Sequence, residues 1–134
     1  MRIALALSLA LLTAACVAHP AASERLTESQ WRFVTIDGGS PAVPEKATLT
    51  FAEDRLSASV GCNGMGGDWR IEQGRLIAGP LMGTKMFCEG PVWEQEQAVS
   101  ALLVAAPKLE WDGDRLFLNS SGHSAELERL SPEP

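Results

Sequence analysis

The feature that most narrows what this chain can fold into is a succession of short strand-like runs, several alternating apolar with polar residues, each cut off by turn-forming residues. Trp31 to Ile36 is rich in aromatic and β-branched side chains and stops at Asp37-Gly38-Gly39-Ser40-Pro41. Thr48-Leu49-Thr50-Phe51 and Leu56-Ser57-Ala58-Ser59-Val60 alternate around a turn at Glu53-Asp54. Trp69-Arg70-Ile71 and Arg75-Leu76-Ile77-Ala78 flank Gln73-Gly74, and Leu109-Glu110-Trp111 and Leu116-Phe117-Leu118 flank Asp112-Gly113-Asp114. A last run follows Ser121-Gly122, from Ser124 to Leu130. A period of two marks strands that are buried on one face. About eight strands joined as hairpins predict a curved antiparallel sheet, a meander of barrel-like form, since closure removes exposed edges.

One segment breaks the pattern. From Pro91 to Ala106 the apolar positions Val92, Val99, Leu103 and Ala106 share one face of a helix. Gly90 stands at the N-cap, Pro91 at the first helical position, and Pro107 ends the run. Glu94 and Glu96 suit the positive end of the helix dipole. Glu96 also falls within the apolar stripe, so its carboxylate is expected to aim inward and accept hydrogen bonds from backbone N–H groups or a base, with Lys85 and Arg70 as candidates. The helix is expected to pack at one end of the sheet.

The N-terminus carries export information. Met1-Arg2 precedes an apolar run, Ile3 to Leu12, broken only by Ser8, and Thr13-Ala14-Ala15 leads to Cys16. The run is shorter than the about 20 residues that span a bilayer, which favours a cleaved signal over a permanent anchor. Small residues before a cysteine suggest lipidation of Cys16, although Thr13 occupies the place where a leucine is usual. Cleavage by ordinary signal peptidase between Ala15 and Ala22 is the competing reading. The division expected is a signal peptide over 1–15, a flexible tether over 16–29, a β-rich domain over 30–130 and a tail over 131–134. Loss of Arg2 with the signal takes the net charge from −6 to −7. An acidic domain is a poor binder of nucleic acid, so that class of partner is excluded.

The remaining motifs are read against their plain alternatives. In an oxidising compartment Cys62 and Cys88 are expected to pair, with reduced buried cysteines or functional thiols as alternatives. Neither has the close second ligand of a zinc site, and no metal or other cofactor is implied. Gly61-Cys62-Asn63-Gly64-Met65-Gly66-Gly67 is glycine-dense but lacks the Gly-Lys-Ser/Thr ending of a phosphate loop, and it is expected to form a bulge or tight connection. His123 has no acid placed to orient it, so with His19 it is expected to be solvated. Trp31, Trp69, Trp93 and Trp111 are expected in the core rather than around a ligand.

Taken in order, Trp31, Leu49-Thr50-Phe51, Gly61-Cys62-Asn63 with Gly67, Thr84-Lys85-Met86-x-Cys88, Glu94-Gln95-Glu96-Gln97-Ala98 with Ala101-Leu102, and Asp114-x-Leu116-x-Leu118 resemble the META domain family, also called HslJ-like. The resemblance runs from Leu26 to Leu130, with departures at Gly64-Met65 and at Gly83. It implies a barrel-like sheet with one helix, placement in the cell envelope, often as a lipoprotein, and association with heat shock, stress response or antibiotic tolerance; Val17 rather than Asp after Cys16 suits sorting to an outer membrane, facing the periplasm. The resemblance places Cys62 and Cys88 in the family's two signature segments and marks Gly61, Asn63, Gly67, Thr84, Lys85, Met86 and Glu96 as structural positions. It brings no catalytic residue. The expectation is a non-enzymatic protein that binds an envelope protein or a small ligand and is held to the membrane through Cys16. A periplasmic inhibitor or chaperone-like module, and a hydrolase with an unconventional site, are the alternatives.

Overall fold

The computed structural model describes Cys16 and residues 20–132. The signal peptide expected over 1–15, His19 and the last two residues of the tail therefore lie outside the described residues. A short helix α1 (Ala22–Leu26) precedes β1 (Ser29–Ile36), and a 3-10 turn (Pro44–Lys46) leads into β2 (Thr48–Phe51). Then come β3 (Arg55–Ser59), β4 (Gly64–Glu72), β5 (Arg75–Ala78), β6 (Met82–Gly83) and helix α2 (Pro91–Val104). The strands β7 (Lys108–Asp112), β8 (Arg115–Asn119) and β9 (Ser124–Arg129) complete the chain.

Eight strands close an antiparallel barrel in the order β3-β2-β1-β9-β8-β7-β5-β4, with β4 pairing back onto β3. The ninth, β6, pairs with Met65 and Gly66 of β4, next to where β5 pairs with Trp69 to Glu72. Closure is thinnest between β5 and β7, which share one register pair, Arg75 with Lys108. There the Leu76 N–H donates to the Pro107 carbonyl and the Leu109 N–H to the Gly74 carbonyl, both at 3.0 Å. The extra strand Met82–Gly83 escaped the sequence reading because two residues are too few to show a period.

Inward side chains fill the barrel: Trp31, Phe33, Leu49, Phe51, Leu56, Leu76, Leu116, Leu118 and Leu127 are all at most 2% exposed. In β1 the inward positions run Ser29, Trp31, Phe33 and then Ile36 rather than residue 35. A register irregularity between Phe33 and Thr35 accounts for this, because one extra residue exchanges the faces of everything after it. At the end of the barrel where β1 begins, Leu26 of α1 is fully buried and the Arg25 guanidinium lies 3.9 Å from the centroid of Trp111. The flexible tether expected over 16–29 is corrected from Ala22 onward: the chain is helical over Ala22–Leu26 and anchored by buried Leu26 and Ser29. A hydrophobic plug at the open end of a barrel outweighs the small, polar composition that suggested a tether.

Helix α2 covers the other end, burying Val99, Leu102 and Leu103. It stops at Val104 rather than at Ala106, which has φ 51° and lies beyond the helix. Of the glycine-dense segment, Gly61 to Asn63 belong to the tight connection expected, between β3 and β4, while Gly64 to Gly67 are instead the first residues of β4. Their small size has a use there. A Cβ at Gly67 would lie 2.6 Å from the Pro80 carbonyl oxygen, because the segment after β5 crosses where a side chain would be.

Gly67→Ala is therefore expected to cost about 1–3 kcal/mol of stability, as over-packing a filled core does. Gly64→Ala, with nothing within 4 Å of the added Cβ, should stay within about 0.5 kcal/mol of the parent. Urea titration of the two variants checks the contrast, and equal losses would contradict the close approach at Gly67.

Candidate functional site

The signature segments meet where β3 passes into β4 beneath α2. Gly61 takes φ 120°, a left-handed conformation that a side chain would strain, and this turns Cys62 and Asn63 toward the helix. Asn63 is 5% exposed and uses its backbone N–H and both polar atoms of its side chain. Its backbone N–H donates to Oε1 of Glu96 at 2.7 Å, and its Nδ2 donates to Oε2 at 3.0 Å. The same Nδ2 donates to the Met86 carbonyl at 2.9 Å, while Oδ1 accepts from the Met86 N–H at 2.8 Å. The side-chain amide thus pairs with residue 86 as a neighbouring peptide group would. This fixes which way the amide faces, since a flip would set donor against donor and acceptor against acceptor.

Thr84 adds two further bonds: its hydroxyl donates to Asn63 Oδ1 at 2.9 Å and accepts from the Gly64 N–H at 3.2 Å. Cys62 and Cys88 form a disulfide with Cα atoms 6.2 Å apart, within the separation such a bond needs. Segment 84–88 is therefore tied to the barrel by the disulfide and by the hydrogen bonds of Asn63 and Thr84. Among the described residues no buried side-chain nitrogen or oxygen is left without a partner.

Glu96 is 5% exposed and faces inward as its helical position suggested, and its partner is Asn63 rather than a base. Arg70 pairs instead with Glu72 at 2.7 Å, and Lys85 is exposed. A fixed amide at the barrel end meets a buried carboxylate with correct geometry, which a long flexible cation does only at greater entropic cost.

The clamp presents an apolar surface. Met82 is 79% exposed, Phe87 77% and Met86 59%, although each belongs to a residue type that is usually buried. The Phe87 and Trp93 rings lie 5.6 Å apart, tilted by 48°. Between segment 84–87 and α2 runs a cleft of about 370 Å³ whose lining includes Asn63, Phe87, Trp93, Glu96 and Gln97. The four tryptophans therefore divide: Trp31 and Trp69 are core, Trp111 is packed against the core, and Trp93 stands at the cleft. No sequence signal marked Phe87 or Met82 as exposed, because an apolar residue in a short loop reads as core.

A second polar cluster lies where β1 ends and β9 begins. His123 Nδ1 is 2.8 Å from Asp37 Oδ2, and Asp37 Oδ1 accepts the Ser124 N–H at 2.9 Å. This corrects the reading that no acid orients His123. The two residues are 86 positions apart, so pairing of β1 with β9 alone brings them together. The Ser120 hydroxyl, held at 3.1 Å by the His123 backbone, is engaged in its own turn. Burial raises the pKa of Asp37, but the Ser124 N–H and the His123 ring together outweigh it and leave the carboxyl below its ordinary value.

A filled antiparallel barrel whose covering helix is clamped by an asparagine–glutamate pair defines a small β-barrel module with an open cleft beside its helix. The chain belongs to the META domain family, which matches residues 24–132. Three solved structures share its fold. An NMR structure is 20% identical with a TM-score of 0.71, covering 81% of this chain and 95% of the other. An NMR structure of a protein from Burkholderia xenovorans is 23% identical with a TM-score of 0.66, covering 92% of this chain and 100% of the other. The crystal structure of a DUF4847 family protein from Bacteroides vulgatus is 14% identical with a TM-score of 0.59, covering 84% and 100%. At these identities the likeness is one of fold. No curated protein matches the chain.

Two outcomes follow from this geometry. Glu96→Ala strands the Asn63 N–H and should cost about 1–3 kcal/mol, whereas exposed Glu94→Ala should change stability by no more than about 1 kcal/mol. Equal losses in urea titration would show that the buried pair does not hold the helix. For Asp37 the folded pKa is depressed, so its contribution is present above the unfolded value near 3.8 and is lost as pH falls through the folded one. The melting-temperature deficit of Asp37→Asn should accordingly be clear at neutral pH and shrink below pH 3.8. A deficit independent of pH would contradict the assignment.

Proposed function

We propose that the protein is a non-enzymatic module of the cell envelope, exported and held to a membrane through Cys16, that docks a protein partner on the surface formed by Met86, Phe87 and Trp93. The observation that carries this reading is the exposure of Phe87 and Met86 on a segment tied down by a disulfide and by Asn63. Apolar side chains held rigidly in water cost free energy unless something covers them, and a preorganised patch binds without an ordering penalty. The filled interior supports a surface site over a ligand enclosed in the barrel. The non-enzymatic reading is supported by how the polar groups are spent: Asn63, Thr84 and Glu96 bond one another, and Ser120 bonds backbone. Envelope placement rests on the apolar run before Cys16, and a role in stress response or antibiotic tolerance on the family resemblance.

A photo-crosslinking residue at position 87, with the same residue at exposed Glu110 as control, tests this in the native host. Position 87 should yield one discrete adduct absent from position 110. Mass spectrometry of the same preparation should show acylated Cys16 at the mature N-terminus. Identical adducts at both positions would overturn the docking surface, and a mature N-terminus beyond Cys16 without acyl mass would overturn the anchor.

A further inference from the structure

Glu96 is placed unusually for a group whose only task is to hold a helix. It is 5% exposed, yet it lines the cleft beside Phe87 and Trp93, and also a smaller one of about 150 Å³ on the side of Met65 and Ser100. Each of its oxygens receives one hydrogen bond, both from Asn63. A carboxylate has about four lone-pair positions, so roughly two remain. No ion pair involves Glu96 among the described residues. A buried carboxylate of this kind interacts far more strongly with a cation than an exposed one does, because little water screens it.

The walls of the cleft suit the rest of such a cation. Trp93 and Phe87 offer aromatic faces, on which guanidinium and ammonium groups settle. The same association occurs twice inside this protein, where Arg25 lies over Trp111 and Arg129 over Trp31. Glu89 and Glu94, both exposed, flank the segment Gly90–Trp93, and the chain as a whole carries −6. Lys85 is the opposing charge on the rim. It is exposed, and its flexible stem leaves the ammonium in water.

Resting on the docking surface proposed above, we infer that the partner is a polypeptide presenting an apolar residue beside an arginine or lysine, with the cation entering the cleft toward Glu96. The apolar residue covers Phe87 and Met86, and the cation lies against Trp93. Aromatic packing supplies affinity and the buried carboxylate supplies selectivity for charge, which rim charges alone would not.

The test is an NMR titration of the mature domain with three blocked dipeptides: acetyl-Phe-Arg-amide, acetyl-Phe-citrulline-amide and acetyl-Phe-Glu-amide. Citrulline keeps the shape of arginine without its charge. Shifts at Phe87, Trp93 and Gln97 are expected with the arginine peptide, which should bind about tenfold more tightly than the citrulline peptide. The glutamate peptide should give no saturable shift. Lys85→Gln, an exposed change that leaves the clamp intact, should tighten the arginine peptide and leave the citrulline peptide unaltered. Equal binding of the arginine and citrulline peptides would overturn the cationic preference while leaving an apolar docking site. A weaker arginine complex in Lys85→Gln would overturn it also. Shifts at the same residues on raising protein concentration alone would show that a second copy of this chain covers the patch. Crosslinking at position 87 with no response to any peptide would retain the docking surface and remove the partner chemistry inferred here.

Discussion

The pairing of Asn63 with Glu96 is the interaction on which the upper end of this barrel depends. A helix laid across a barrel must bury one stripe, and α2 does so with Val99, Leu102 and Leu103. Apolar contact is non-directional, however, and would let the helix slide or rotate. Two hydrogen bonds to one carboxylate set both its position along the barrel end and its rotation. The same asparagine holds Met86 in the manner of a strand neighbour, so one buried side chain joins the start of β4, the loop before α2 and α2 itself.

The disulfide and the asparagine act on the same loop in different ways. Cys62 and Cys88, 26 positions apart, close a ring that contains β4, β5 and β6. In the chain-entropy account this limits the unfolded chain by about 3 kcal/mol. It leaves local orientation free, which Asn63 then sets through hydrogen bonds on either side of residue 86. Their combination explains how Met86 and Phe87 stay in water. Without the ties, this loop could turn its apolar side chains toward the barrel and lower the exposed area.

The two ends of the barrel are closed by different physics. At the α1 end, closure is apolar and cationic: Leu26 is buried, while Arg25 and Arg129 lie over Trp111 and Trp31. At the α2 end it is apolar beneath and polar along one side, where the cleft opens between the helix and the clamped loop. Asn63 and Glu96 are buried at that second end, a low-dielectric place where each polar group must be satisfied.

Most of the strand pattern was legible in the chain itself. β2, β3 and β9 fall on the alternating runs, since a half-buried strand writes its two faces directly into the residue order. The inward aim of Glu96 was legible for the same reason, as helical periodicity assigns a face without knowing what lies opposite. Which strands meet at the seam of the barrel, the burial of Leu26, the partner of Glu96, and the meeting of Asp37 with His123 were not legible. Each depends on which distant segments become neighbours, and local periodicity carries no record of that. Gly67 shows the division within one residue: its presence was plain in the sequence, while its reason, the Pro80 carbonyl crossing over it, exists only once the chain has folded.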